Sequence, residues 1–224
     1  MKYALLAVAA MLGVSSCETP SPRTDAPVVR PNEVADFSVL YAQNCSGCHG
    51  ADGQGALTVG IGSPVYLAIA DDATIRQVID QGRPGTPMQG FAEKAGGMLT
   101  DAQIDIIIQG IRTRWAKPGA FEIDPPPPYR ASEPGDAGRG HNVFTASCSS
   151  CHGPDGHGAR TIAESSYLDL VSDQHLRTVI ITGMPYLGMP DWRSHPKPLS
   201  DADVTNLVAW LASQRQPLSA QLSH

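Results

Sequence analysis

Two copies of one short motif carry the residues best suited to chemistry. The first copy is Cys45-Ser-Gly-Cys48-His49, and the second is Cys148-Ser-Ser-Cys151-His152. Two thiols at this spacing can each form a thioether to one vinyl group of a single haem, while the histidine that follows offers a ring nitrogen to the iron. The motifs therefore predict two covalently bound c-type haems, with the cysteines as tethers and His49 and His152 as iron ligands.

Other sites also use a Cys-x-x-Cys pair, notably zinc sites and thioredoxin-like redox sites. The chain has five cysteines, four of which lie in the two motifs, and each motif continues directly into histidine. A zinc knuckle more often shows a second ligand pair, and a thioredoxin-like site does not require the histidine. Haem attachment is therefore the favoured interpretation.

The fifth cysteine, Cys17, belongs to the N-terminus. Lys2 precedes an apolar run over residues 3–14, which suits a signal-peptide core and is too short to span a bilayer comfortably. Small residues before Cys17 resemble the lipobox of bacterial lipoproteins, which implies cleavage at this point and lipidation of Cys17. An ordinary secretory signal that leaves a free thiol is the alternative. A lipidated chain is expected in the bacterial periplasm, anchored to the membrane.

Proline-rich segments mark the expected boundaries between parts of the chain. Four prolines fall within residues 18–32, and four consecutive prolines occupy 125–128. The first segment reads as an extended stalk and the second as a semi-rigid linker that limits, without fixing, the relative placement of the haems. The expected parts are a signal peptide (1–16), a stalk (17–32), a first domain (33–116), a linker (117–134), a second domain (135–215) and a tail (216–224).

The charge of the chain argues against nucleic acid as a partner. The net charge is −6, and it becomes −7 once a signal peptide containing Lys2 is removed. Ionised haem propionates would make the protein more acidic. An acidic surface is not expected to bind a phosphate backbone.

The two halves of the chain repeat each other well beyond the motifs. Residues 48–56 reappear with few changes at 151–159, and a further set of matches follows at a constant offset of 101 positions. Apolar spacing predicts helices before Cys45, from Asp71 and Asp72 to a stop at Gly82, and from Thr100 to about 111 in the first half. In the second half the same patterns predict helices near 138–147, 173–181 and 200–214. The fold class is therefore mostly α, with a duplicated domain.

These residues resemble the class I cytochrome c family, and they do so twice, over roughly 33–116 and 135–215. The resemblance implies a small helical domain around each haem and an axial methionine from a loop before the last helix. Met88 and Met189 stand at the implied positions, each six residues after a glycine and three before an aromatic residue. The resemblance thus implies His49 with Met88 and His152 with Met189 as iron ligands.

Several other residues compete for the sixth position. Met98 adjoins the last helix of the first half and is expected to pack there. Met184, in Gly-Met-Pro, is a stronger rival of Met189, although the repeat favours Met189. Bis-histidine ligation could instead use one of four further histidines. The simpler interpretation is that each is an ordinary surface residue. These four histidines are His141, His157, His175 and His195.

Ligand choice determines the expected function. An iron with histidine and methionine ligands is saturated and exchanges one electron at a time, so an electron carrier is expected rather than an enzyme. Its partners are expected to be redox proteins, including a membrane oxidoreductase complex of which it could be a subunit. A dihaem peroxidase with one accessible iron is the alternative. A haem-based sensor would need an output domain, and none is visible in the sequence.

Two differences between the halves predict that the sites are not equivalent. The family commonly orients the axial histidine with a proline carbonyl, a role that Pro64 fits but its aligned partner Ser165 does not. We therefore expect different reduction potentials. The family also packs a glycine of the first helix against an aromatic residue of the last, as Gly140 and Trp210 do. Phe37 and Gly110 reverse this pair, which predicts a swapped knob and hole.

Overall fold

Side-chain caps set where the main helices of the protein begin. The computed structural model describes residues 29–55, 58–84, 86–158 and 160–215. The first half contains α1 (Phe37–Asn44), α2 (Ser46–His49), α3 (Pro64–Ile69), α4 (Asp72–Gln81) and α5 (Asp101–Trp115). The second half contains α6 (Ala137–Ser147), α7 (Ser149–His152), α8 (Ser165–Leu168), α9 (Asp173–Thr182) and α10 (Asp201–Ser213).

The long helices begin where the sequence predicted. Asp71 caps α4, whose last turn ends at Gly82. Thr100 and Gln103 form the predicted capping box of α5, and Ser200 caps α10 in the same way. The described residues contain no strand, only three isolated bridges, which confirms the mostly α fold class.

Some predicted features fall outside the described residues. These are the signal peptide 1–16, Cys17, residues 18–28 of the stalk, and the tail 216–224. Among the helices of the described part of the chain, none is both long and apolar enough to cross a membrane.

Two apolar cores lie one in each half, and Val65 of α3 in the first half is buried in the second core. The first core contains Leu40 of α1, Ile79 of α4 and the buried face of α5. The second contains Phe144 of α6, Trp192 and the buried face of α10. The described residues from Pro31 onward nevertheless form one compact unit.

The first and last helices of each half cross closely, and the two crossings use opposite arrangements. A methyl group added to Gly110 would lie 2.0 Å from the ring of Phe37, so this ring fills the space that the glycine leaves. At Gly140 the same added atom would lie 2.0 Å from a backbone carbonyl oxygen of α10 and 2.8 Å from Trp210 Cβ. The swapped knob and hole is therefore confirmed.

The linker is bound to both halves more firmly than its proline content predicted. Tyr129 is buried in the first core and bonds through its hydroxyl to Arg83. Its carbonyl accepts hydrogen bonds from Gln174 and from Arg177 of α9. Phe121 packs against the second core. The expectation of a linker that only limits the placement of the halves was wrong, because these contacts hold its path.

Candidate haem-binding sites

Both cysteine motifs fold into a single helical turn directly after the first long helix of their half. In each half the first cysteine, Cys45 or Cys148, ends that helix and caps the short one that carries the histidine. Cys48 and Cys151 are exposed, whereas Cys45 and Cys148 are partly buried. Burial raises the pKa of Cys45 and of Cys148 to about 11. Each motif thus places two thiols and one imidazole on or directly beside one helical turn.

A backbone carbonyl orients the histidine of each motif. His49 Nδ1 lies 3.1 Å from the carbonyl oxygen of Val59, and His152 Nδ1 lies 2.6 Å from that of Arg160. Such a bond places the ring proton on Nδ1, because the carbonyl can only accept, and leaves Nε2 free to bind a metal. Burial also lowers the pKa of His49, which favours the neutral imidazole that ligation requires.

The predicted role of Pro64 is wrong. Pro64 is the first residue of α3, where Ser63 caps the helix, and the carbonyl that orients His49 belongs to Val59, five positions earlier. Ser165 likewise begins α8, and the corresponding carbonyl is that of Arg160. Since neither half uses this position, the exchange of proline for serine gives no reason for unequal potentials.

A glycine turn follows the histidine of each motif and leads into the loop whose carbonyl orients that histidine. Gly50 and Gly153 follow the histidines with φ of 77° and 82°, a backbone region that favours glycine. In the first half the histidine carbonyl then accepts from Gly55 at 2.8 Å, and in the second from Gly158 at 2.7 Å. The two loops therefore share one design over this stretch.

The methionine loops also match. Met88 accepts a hydrogen bond at its carbonyl from Arg83 N at 2.7 Å, and Met189 accepts one from Met184 N at 3.0 Å. Met184 therefore occupies the place that Arg83 has in the first half. Met88 and Met189 are both half-buried, whereas Met98 is 81% exposed and does not pack as predicted.

The remaining histidines divide into two groups. His141 and His157 are exposed, each 3.7 Å from a carboxylate, as the surface interpretation expected. His175 is partly buried, and burial together with the nearby charge of Arg83 lowers its pKa. His195 is also partly buried, with Nδ1 3.3 Å from the carbonyl oxygen of Ser147. The surface interpretation therefore fits only the first pair.

Sequence reasoning missed an arginine clamp that occurs in both halves. Arg112 of α5 binds the carbonyls of residues 67 and 70 and the carboxylate of Asp72. Arg215, just beyond α10, binds the carbonyls of residues 168 and 171 and the carboxylate of Asp173. The carbonyls and carboxylates that the two arginines bind are 101 positions apart in the two halves, but Arg112 and Arg215 are not. The repeat therefore could not identify them.

A hydrogen bond between the halves joins loops that belong to the two sites. The hydroxyl of Tyr186, in the Met189 loop, donates to the carbonyl of Thr58 at 3.3 Å, next to the residue whose carbonyl orients His49. Beside this contact lies a cleft of about 640 Å³, whose walls include Gly60 of the first half and Met189 of the second. The ligand loops of the two sites are thus neighbours.

The side chains of each half fit a covalent haem. Two thiols lie at the required spacing, and the histidine beside them presents Nε2. In the first half Val59, in the loop that orients the histidine, and Phe91, in the methionine loop, both contact the first core. In the second half Ile162 and Trp192 contact the second core in the same way. The methionine of each half therefore lies in a loop packed on the same core as the histidine loop. Sulfur and imidazole nitrogen are ordinary axial ligands of haem iron.

Comparison with known proteins found similar subunits of cytochrome c oxidases and cytochrome bc1 complexes. The chain is 26% identical over 192 residues to the cbb3-type cytochrome c oxidase subunit CcoP of Azospirillum, covering 76% of this chain and 58% of that one. It is 31% identical to FixP of Azorhizobium caulinodans, covering 60% and 43%. It is 25% identical to the cytochrome bc1 complex cytochrome c subunit of Mycobacterium leprae, covering 80% and 61%. The chain thus spans roughly half the length of these relatives.

A family match covers both halves. Residues 32–109 and 135–211 each match the family described as cytochrome c oxidase, cbb3-type, subunit III. These two stretches make up more than half of the chain and contain the cysteine motifs and the methionine loops. The protein therefore belongs to this family and carries its cytochrome c domain twice.

Proposed function

We propose that this chain carries electrons one at a time through two covalently bound c-type haems. His49 and Met88 serve as axial ligands in the first half, and His152 and Met189 in the second. The observation that supports this best is the hydrogen bond from each histidine Nδ1 to a backbone carbonyl, which directs Nε2 outward as a ligand. The same half supplies a methionine loop at the repeated spacing.

The residues around each site suit electron transfer rather than substrate chemistry. A c-type haem supplies a one-electron couple, and histidine with methionine leaves the iron without an open position and raises its potential. The protein holds these ligands still, through the carbonyl bond of the histidine and the main-chain bond that closes the methionine loop. A fixed ligand set keeps the geometry similar in both oxidation states.

Replacement of each methionine tests this ligand assignment. The intact holoprotein is expected to be low-spin at both irons and to bind no carbon monoxide. Met88→Ala and Met189→Ala are each expected to open one iron to carbon monoxide, while Met98→Ala and Met184→Ala leave both closed. Rapid carbon monoxide binding by the unaltered protein would instead indicate the dihaem peroxidase. An open site in Met184→Ala would transfer the ligand role to Met184.

We further infer that the two haems form one relay that serves a membrane respiratory complex on the periplasmic side. The contact between Tyr186 and Thr58 joins the two ligand loops, which supports exchange of electrons within the chain. Relatives named as subunits of cbb3 oxidases and of bc1 complexes support a complex as partner. Lipidation of Cys17 would hold the chain at the membrane. Mass spectrometry of the mature N-terminus and co-purification from solubilised membranes test these two statements separately.

A further inference from the structure

One indole N–H in the second half is buried without an acceptor. Trp192 is 3% exposed, and its Nε1 is among the buried side-chain atoms that find no hydrogen-bond partner. An indole nitrogen can only donate, so no rotation of a proton satisfies it. Burial of an unpaired donor opposes folding, and native proteins seldom leave one in this state. The atom therefore points to an acceptor that the polypeptide does not supply.

The position of this indole is fixed by its main chain. Trp192 N donates to the carbonyl of Ile181 at 3.1 Å, and its own carbonyl accepts from Leu199 N at 2.9 Å. The ring belongs to the second core. The nearby carboxylate of Asp191 is engaged by Arg193 and Ser194, so it is not directed to the indole. The donor is thus held in place with its polar end unused.

Trp192 stands next to the segments that are proposed to enclose the second haem. Trp192 follows Met189 by three residues, and Cys148 packs against the core that contains its ring. His195 adds a second buried nitrogen without a partner, Nε2, while its Nδ1 contacts the carbonyl of Ser147, the residue before Cys148. Both unpartnered nitrogens therefore belong to residues next to the elements that would enclose the haem.

The first half has no counterpart of this donor. The residue aligned with Trp192 is Phe91, which has no polar atom in its side chain. Position 94, at the same offset from His195, is Lys94, whose ammonium lies 2.6 Å from the carboxylate of Asp80. The unused indole is thus specific to the second site and is not a general property of the repeat.

We propose that Trp192 donates its indole N–H to a propionate carboxylate of the haem bound at the second motif. This inference depends on the proposed function, because it requires a haem at Cys148 and Cys151. A haem brings two carboxylates, which accept hydrogen bonds only and match a donor-only indole. The bond disperses the negative charge of that propionate near the iron. It therefore raises the reduction potential of the second haem relative to a site without a donor, such as the first.

Indole resonances of the unaltered holoprotein give the direct test. The chain has three tryptophans, and Trp192→Phe assigns the Trp192 signal in a ¹H–¹⁵N spectrum. We expect this indole proton to exchange with solvent at least about tenfold more slowly than that of Trp210, which is buried to a similar degree in the same core, as a bond to an ionised group predicts. Its shift is also expected to change between the oxidised and reduced protein. Equal exchange rates, or cross-peaks to a long-lived bound water, would overturn the proposal.

Redox titration of variants supplies the second test. Trp192→Phe copies the first half at this position and is expected to lower the potential of the second haem while the first stays unchanged. Trp115→Phe is the control and is expected to change neither potential in this way. A second haem that keeps its potential in Trp192→Phe would contradict the proposal. A haem count of one per chain would instead contradict the proposed function, so the two failures are distinguishable.

Discussion

The most informative stability test concerns Arg177, whose side chain is only 3% exposed. Its guanidinium donates to the carbonyl of Pro128 at 2.7 and 3.0 Å, to that of Tyr129 at 3.2 Å, and to the hydroxyl of Thr205 at 2.9 Å. It also pairs with the carboxylate of Asp201. One buried cation thus joins α9, α10 and the linker.

Arg177→Met keeps much of the apolar stem and removes every one of these donors. Hydrogen bonds to charged groups contribute about 1.5 to 3 kcal/mol each, and breaking a buried ion pair costs about 3 to 5 kcal/mol. Asp201 is 33% exposed and can regain water, which reduces the loss. We therefore expect the free energy of unfolding to fall by about 2 to 4 kcal/mol.

The repeat offers a matched control. Arg76 is the aligned residue of α4, and it pairs with Asp101 and Asp105 at the positions equivalent to the second-half partners. Arg76 and its partners are far more exposed, so Arg76→Met is expected to cost no more than about 1 kcal/mol.

Urea unfolding of the dihaem protein, followed by circular dichroism, measures both variants. Limited proteolysis within residues 117–134 is expected to quicken in Arg177→Met alone, because the linker loses its attachment to α9. If the two variants unfold at the same urea concentration, the argument from burial is refuted.

Two further predictions concern the helix crossing and the junction of the sites. Gly140→Ala is expected to destabilise the protein by at least about 1 to 3 kcal/mol, since its new methyl meets a backbone carbonyl. Gly110→Ala is expected to cost less in the same denaturation assay, because the ring of Phe37 is only half-buried and can move. Tyr186→Phe is expected to slow electron exchange between the haems after rapid photoreduction, because it removes the hydrogen bond that joins the two ligand loops. Tyr167→Phe, of similar exposure, is expected to leave that rate unchanged, and equal rates in the two variants would argue against the junction.

Local signals were sufficient to predict the six longer helices, but not α3 and α8, which the sequence analysis missed. The cap at Asp71, the capping box of Thr100 and Gln103, and the stop at Gly82 all act within four residues of the helix end that they define. Such signals can be read from the sequence because the groups that satisfy each other are neighbours in the chain. The glycine and aromatic pairs of the helix crossings were also predictable, since the repeat placed them in register.

Contacts between distant segments were not predictable in the same way. The carbonyl that orients His49 depends on the path of the loop that follows it, and a family pattern pointed to Pro64 instead of Val59. The two arginine clamps stand at different registers in the two halves. The linker was read from its prolines alone, whereas its path is held by one buried tyrosine and by one arginine of the second half.

Unequal potentials of the two sites stay a prediction, but for a different reason. Exchange of proline for serine cannot separate the potentials, because neither residue orients its histidine. Exchange of Phe91 for Trp192 can do so, because it adds one buried donor beside the second methionine loop and none beside the first. A small change in charge close to an iron shifts its potential directly, whereas a change in the first residue of a helix does not. If Trp192 raises the reduction potential of the second haem, electrons within the chain are drawn from the first haem towards the second. The hydrogen bond of Tyr186 to Thr58 joins the ligand loops of the two sites between which these electrons move.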